Sequence, residues 1–258
     1  LILDEREKEL ILIEEPFLEK YIHLYIGTEE YINSKRRYCF WLTDLIPSDL
    51  ARSKELKSRL NNVREFRLKS TAQPTRLKAE TPHIFFYISQ PKGNYLIVPS
   101  TSSENRKYIP IGFLSPNVIA SNACTIVPNA TLYHFGILTS SVHNAWMRVV
   151  AGRHEMRYRY SGSVVYNNFV WADATDEQKE KISKTAQAIL DARNLYSNTS
   201  LAELYSQNGL SIATELYTAH KANDKAVLAL YGFNADATED EIVAKLMQMY
   251  AEKVKESL

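Results

Sequence analysis

The segment GRHEMRYRYSGSVVYNNF, residues 152–169, carries the side chains best suited to recognition chemistry. In an extended strand successive side chains point to opposite faces, so Glu155, Arg157 and Arg159 are expected to share one face and Met156, Tyr158 and Tyr160 the other. The second face suits a core. The first is a row of long charged groups. A rigidly presented Arg can bond O6 and N7 of guanine in the DNA major groove, and a carboxylate can accept from N4 of cytosine. Glu155 with Arg157 is therefore the pair needed to read both members of one C·G base pair. From residue types alone, a same-strand ion pair on a wet surface, worth little energetically, is the favoured account of the same two residues.

Other constellations are weaker. Tyr166-Asn167-Asn168-Phe169 lacks the prolines of the Asn/Asp-Pro-Pro-aromatic motif that holds a flipped adenine, and the chain has no glycine-rich cofactor loop. Glu177-Gln178-Lys179 resembles half of a nuclease motif but falls in the first turn of an expected helix. His134 and His143 read as capping or core histidines, and Cys39 as a small buried apolar residue. Two cysteines cannot build a disulfide framework, and six scattered histidines offer no zinc spacing. The segment is expected to catalyse nothing and to hold no cofactor or metal.

Net charge is only +1, but its distribution along the 258 residues is uneven. Residues 1–20 hold 3 basic and 7 acidic side chains, residues 21–171 hold 19 and 9, and residues 172–258 hold 9 and 14. A basic middle between acidic ends is a footprint for a polyanion on the middle alone. An apolar content of 45% excludes a disordered chain, and the absence of a long apolar run excludes a membrane span; with no secretory signal, a cytoplasmic protein is expected. Because the sequence begins at Leu1, it is expected to be cut from something longer.

The elements that must position these residues follow from periodicity. Residues 1–20 read as a charged amphipathic linker or trailing segment of an upstream domain. After Pro47, with Ser48 or Asp49 as cap, Leu56, Leu60 and Val63 recur at helical spacing, and the outer face carries Arg52, Lys54, Lys57, Arg59, Arg64 and Arg67. From His83 to Phe135 short β-rich runs alternate with turns: HIFFYIS, YLIVP, YIPIGFL, VIA, CTIVP and ATLYHF. One helix is expected over LTSSVHNAWMRVVAG, capped by Thr139 or Ser140 and ended by Gly152. Beyond residue 172 all is helix by pattern, with capping-box sequences at Thr175–Gln178 and Thr238–Glu241. The fold class is α+β: a mostly antiparallel sheet domain with flanking helices over 21–171, then a small all-α domain over 172–258.

Several long segments, among them YIGTEEYINSKRRYCFWL, TPHIFFYISQPKGNYLIVPSTSSENRKYIPIGFL, IVPNATLYHFGILTSSVHNAWMRVVAGR and YRYSGSVVYNNFVW, resemble the target recognition domain of MmeI-like, single-chain type IIL restriction–modification enzymes. LDARNLYSNTSLAELY and AHKANDKAVLALYGF are similar to the helical C-terminal domain that follows there. The resemblance implies double-stranded DNA as partner, and upstream methyltransferase and nuclease domains in the same chain, which would use S-adenosylmethionine and Mg. It implies that Glu155 and Arg157 read one base pair, and that Arg159 and the Asn122-Ala123 region read others. Asn122 fits, since an Asn amide can bond adenine N6 and N7 together. YNNFVWA stands here where YNNFPWP is usual, and His154-Glu155-Met156-Arg157 where an LKSD-like tetrapeptide is common. Phosphate contacts are expected from Lys35, Arg36, Arg37, Arg106, Lys107 and Arg153, which cluster in turns and strand ends. The rival reading is a protein-interaction module, with Tyr205, Tyr217 and Tyr231 exposed on the acidic helices.

Overall fold

A computed structural model describes residues 1–256; the last two residues of the expected 172–258 domain lie outside the described residues. The strands are β1 (Ile2–Leu3), β2 (Ile22–Ile26), β3 (Tyr38–Phe40), β4 (Tyr95–Pro99), β5 (Thr101–Ser102), β6 (Gly112–Leu114), β7 (Val118–Ala120), β8 (Cys124–Pro128), β9 (Gly152–His154) and β10 (Arg157–Arg159). The helices are α1 (Glu5–Glu14), α2 (Thr28–Asn33), α3 (Pro47–Arg52), α4 (Lys54–Leu68), α5 (Gln73–Leu77), α6 (Leu132–Leu138), α7 (Ser141–Val150), α8 (Asp176–Asn194), α9 (Leu201–Leu204), α10 (Gln207–Ile212), α11 (Thr214–Leu230) and α12 (Glu239–Glu256). Strand pairing is antiparallel except between β2 and β7, so the class is α+β as expected. No described helix is long and apolar enough to cross a membrane.

The chain forms two compact units: residues 1–26, 35–92 and 116–121, and residues 27–34, 93–115 and 122 onward. This division does not follow the sequential partition at 20/21 and 171/172. In the first unit the sheet order is β1-β3-β2-β7, and Leu3, Leu18, Phe40, Leu42 and Leu56 are fully or almost fully buried on it. Residues 1–20 are folded into this unit: Asp4 and Glu7 form a capping box that starts α1, whose Ile11 is buried while Leu10 and Ile13 stay exposed.

The expected helix after Pro47 is two helices. Ser53, not Ser48 or Asp49, caps the longer one, accepting from Leu56 N at 2.9 Å. Asp49 is instead buried against Tyr21 Oη (2.8 Å) and ion-paired with Lys20 and Arg52. Nor is the basic face all free. Arg67 is buried and donates to the carbonyls of Lys78, Thr81 and Ile84, and Arg59 pairs with Glu7 and Glu55. HIFFYIS is not a strand. Phe85 stacks on Tyr25 and Trp41, while the Gln90 amide bonds Pro116 O, Val118 O and Ala120 N along the β7 edge, taking the hydrogen bonds a further strand would make.

The second unit holds the sheets β6-β4-β8 and β5-β10-β9, with α6 to α12. One hydrophobic core runs from Leu96 and Val98 through Trp146, Tyr160 and Ile182 to Leu246. ATLYHF, expected as a strand, is the start of α6, because the His134 ring nitrogen receives the Thr131 N–H (3.1 Å) and closes the first turn. LTSSVHNAWMRVVAG therefore splits into the end of α6 and a second helix, α7, capped by Ser140, and Gly152 opens β9 rather than ending a helix. Helix α6 approaches α8 at Gly136, where a Cβ would stand 2.6 Å from Ile182 Cγ2, and Asn223 donates to its carbonyl at 2.8 Å. The two capping boxes at Thr175 and Thr238 form as the spacing predicts. Tyr205 and Tyr231 are buried, not exposed, their hydroxyls bonding His220 and the Val170 carbonyl; of the three aromatics of the rival reading only Tyr217 is open to solvent.

Candidate nucleic-acid interface

Two elements of the second unit flank the charged segment 152–159. Helix α7 leads into β9, and a single π-type turn, Gly162–Tyr166, follows β10. Trp146 of α7 donates to Val165 O (3.0 Å) and packs on Phe169, so one buried indole ties both ends of the intervening ribbon to the core.

That ribbon is a hairpin rather than the single extended strand expected. His154 pairs with Arg157, Arg153 with Tyr158 and Gly152 with Arg159, leaving Glu155 and Met156 as a two-residue turn. Glu155 takes φ +58°, which two-residue hairpins require at their first turn position because it matches the twist of the flanking strands. Two expectations change as a result. Met156 does not join the core face with Tyr158 and Tyr160 but stands at the tip, 70% exposed. Glu155 is displaced from the strand face into the turn, yet its carboxylate lies 2.8 Å from Arg157 Nη2, on the solvent side with Arg157 and Arg159. Tyr158 and Tyr160 are buried, so the alternation from Arg157 onward is as expected.

The remaining candidates fall into three groups. Asn122 and Ala123 form an exposed turn before β8; Ala123 O accepts from Ser100 N (3.2 Å), and Ser100 O accepts from Tyr160 N (2.9 Å). Ser100 thus tethers this turn to the residue after β10, and β5 beyond it pairs directly with β10. Arg153 lies with its guanidinium 3.7 Å from the Tyr158 ring centroid and bonds Met156 O at 3.3 Å, bracing the hairpin. Arg106 and Lys107 lie in the loop after β5, Arg106 half-buried and Lys107 exposed with its ammonium 5.1 Å from the Tyr217 ring. Lys35, Arg36 and Arg37 belong to the first unit; Lys35 and Arg36 are exposed, and the Arg37 guanidinium lies over Tyr25. Ser100 had no sequence signal, since it acts through its backbone alone.

The residues set aside as structural behave so. His143 is fully buried against Tyr160 Oη (3.0 Å), and desolvation pushes its pKa down to about 3. Burial pushes both thiols, Cys39 and Cys124, up to about 12. Asn168 is tied to the carbonyls of Ser163 and Val164 at 3.0 Å. Among the described residues no group of three His, Cys, Asp or Glu could hold a metal.

The His143 environment gives a pH prediction. Its folded pKa lies below the unfolded value near 6.5, so the unfolded chain binds the extra proton and stability falls as pH drops from about 6.5 toward 3, with a slope up to about 1.4 kcal/mol per pH unit. Asp224, whose pKa burial raises, acts with the opposite sign, so the diagnostic is a difference. Melting temperatures of the unsubstituted protein and a His143→Gln variant should converge as pH falls through this window; parallel curves contradict the assignment.

An exposed hairpin with paired acid and guanidinium, set on a buried helical core and tethered to a second exposed turn, defines an α+β recognition module. Comparison with known proteins gives the family. Residues 1–173 match the family described as MmeI, target recognition domain, and residues 174–258 match MmeI, C-terminal domain. The chain belongs to this family. DNA methyltransferase A of Bacillus subtilis (strain 168) is 35% identical over 241 residues, which is 92% of this chain and 27% of that protein. The solved structure of the type IIL restriction–modification enzyme MmeI in complex with DNA is 45% identical, with a TM-score of 0.95 over 98% of this chain and 34% of that one. The chain thus spans about a third or less of the length of these relatives.

Proposed function

We propose that this chain reads the sequence of double-stranded DNA on behalf of an adenine-specific methyltransferase and restriction endonuclease in the cytoplasm, whose catalytic domains lie upstream in the same polypeptide. Residues 21–171 form the recognition domain and residues 172–258 the helical C-terminal domain. The observation that carries the reading is the hairpin tip: an exposed carboxylate and guanidinium already 2.8 Å apart, on a turn fixed by a β-ribbon whose other face is core. The ion pair is the ground state of a reader, since a C·G pair offers each group a partner of the right sign, cytosine N4 for Glu155 and guanine O6 and N7 for Arg157. The bland reading of a surface ion pair explains the contact but not why Glu, rather than Gly or Asn, occupies a turn position that the hairpin holds at positive φ.

Arg159, Asn122 and Ala123 read neighbouring positions, and the Ser100 bridge holds them in register with the hairpin. Lys35, Arg36, Arg37, Arg106, Lys107 and Arg153 contact phosphates and set the register on the duplex. S-adenosylmethionine and Mg2+ belong to the upstream domains. With no glycine-rich loop in the sequence and no ligand cluster among the described residues, the residues present here fit neither group.

The test is duplex binding by the intact protein as a function of salt. Affinity should fall steeply with ionic strength, and Lys107→Ala should lower the slope of log K against log salt by about 0.9 while leaving the methylated sequence unchanged. Binding without a salt slope overturns the reading.

A further inference from the structure

We infer that the helical C-terminal domain also grips the DNA backbone, through a lysine-lined groove formed by Lys107, Lys221 and Lys225; this rests on the duplex-DNA reading above. By composition that domain should avoid DNA, with 9 basic and 14 acidic side chains over residues 172–258. The fold redistributes those charges. Lys221 and Lys225 are four residues apart on α11 and share a face, which borders a cavity of about 360 Å³ whose other wall includes Lys107, Ser141 and Ile242. Both lysines are exposed, and neither has an ion-pair partner among the described residues.

Two acids, Asp224 and Glu239, line the same cavity, and both are occupied elsewhere. Asp224 is buried and turned inward, accepting from Tyr108 Oη at 2.6 Å and Ser141 N at 2.7 Å. Its carboxyl is held above the usual carboxylate range by burial. Glu239 is paired with Arg148 at 2.8 Å, and Arg148 in turn donates to Lys107 O at 2.6 Å, fixing the backbone that presents that lysine. Ser141, whose backbone N–H helps hold Asp224 inward, also lines the cavity. Lys107 also lines a second cavity of about 390 Å³, together with Asn105, Ser206, Gln207, Leu210, Ser211 and Tyr217.

Three ammonium groups with neutralised acids between them suit successive phosphodiester oxygens. Lys107 follows β5, the strand paired with β10, so one strand connects the groove to the hairpin. The occupant is therefore the backbone of the duplex whose bases the hairpin reads.

The experiment measures duplex affinity of the intact protein against salt concentration by fluorescence anisotropy. Lys221→Ala with Lys225→Ala is expected to lower the slope by about 1.8 and to weaken binding on the order of tenfold at about 0.1 M salt, with the methylated sequence unchanged. Lys179→Ala with Lys184→Ala, on the exposed face of α8, removes the same charge and should leave the slope alone. Lys221→Gln with Lys225→Gln repeats the test in a second folded background, checked by thermal melting. An unchanged slope in the groove variants, as expected if an acidic protein segment fills the groove, overturns the inference; so does an equal loss in the α8 control. Absence of any salt-dependent duplex binding by the unsubstituted protein overturns the DNA reading itself.

Discussion

Methylation by an intact protein carrying Glu155→Lys together with Arg157→Asp is expected at a site in which one C·G pair has become G·C. After the exchange an ammonium faces guanine and a carboxylate faces cytosine on the opposite strands, so the pair is read in reverse. The hairpin tolerates the exchange for two reasons. The 2.8 Å ion pair across the turn survives with its polarity inverted, and lysine at the first turn position meets the same positive-φ cost that Glu155 already meets. A good bidentate contact discriminates by about 1–3 kcal/mol, so preference between the two sites should swing by on the order of 10-fold to 100-fold in each direction. Methylation mapping of the variant over a genome reads the outcome directly. An unchanged site would remove Glu155 and Arg157 from the base-reading set and return them to the status of a surface ion pair.

Trp146→Ala should produce a large loss of stability. The indole is 2% exposed, donates to Val165 O, and packs on Phe169 and Tyr250, so truncation opens a cavity and leaves a buried carbonyl unpaired. Substitutions of this class cost about 3–5 kcal/mol. In a unit of this size that corresponds to a fall in Tm on the order of 10 °C. Because Trp146 and Val165 bracket the hairpin, the loss of sequence-specific binding should appear at temperatures where the variant is still folded. Chemical denaturation showing a loss under about 1 kcal/mol would mean that the hairpin is braced by other contacts.

Much of this was legible beforehand. The capping boxes at Thr175 and Thr238 and the stripes Ile182, Ala186, Ile189 and Ile242, Leu246 specify α8 and α12, because capping and helical periodicity are local, each satisfied within a few residues of chain. The alternation of Arg157, Tyr158, Arg159 and Tyr160 likewise specifies which of them face solvent. The hairpin turn was not legible. Glu-Met is no turn dipeptide, and the left-handed backbone at Glu155 is imposed by the pairing of β9 with β10, a contact sequence alone does not announce. The split of α6 from α7 was hidden for a related reason: the β-rich composition of ATLYHF was outweighed by one histidine closing the first turn.

Sequence by itself determined the α+β class, the helical C-terminal third and the residue types that the 152–169 segment offers, because these depend on spacing and on side-chain chemistry. Only the tertiary structure decided which charges are free to act. Arg67 and Arg59 looked available on a helix face, yet one is buried on three carbonyls and the other is paired with two carboxylates. Lys221 and Lys225 looked submerged in an acidic domain, yet folding turns Asp224 inward and pairs Glu239 with Arg148, leaving both lysines open beside Lys107. The reason is physical: a composition sums charges along the chain, whereas a ligand meets only those whose partners folding has left unfilled.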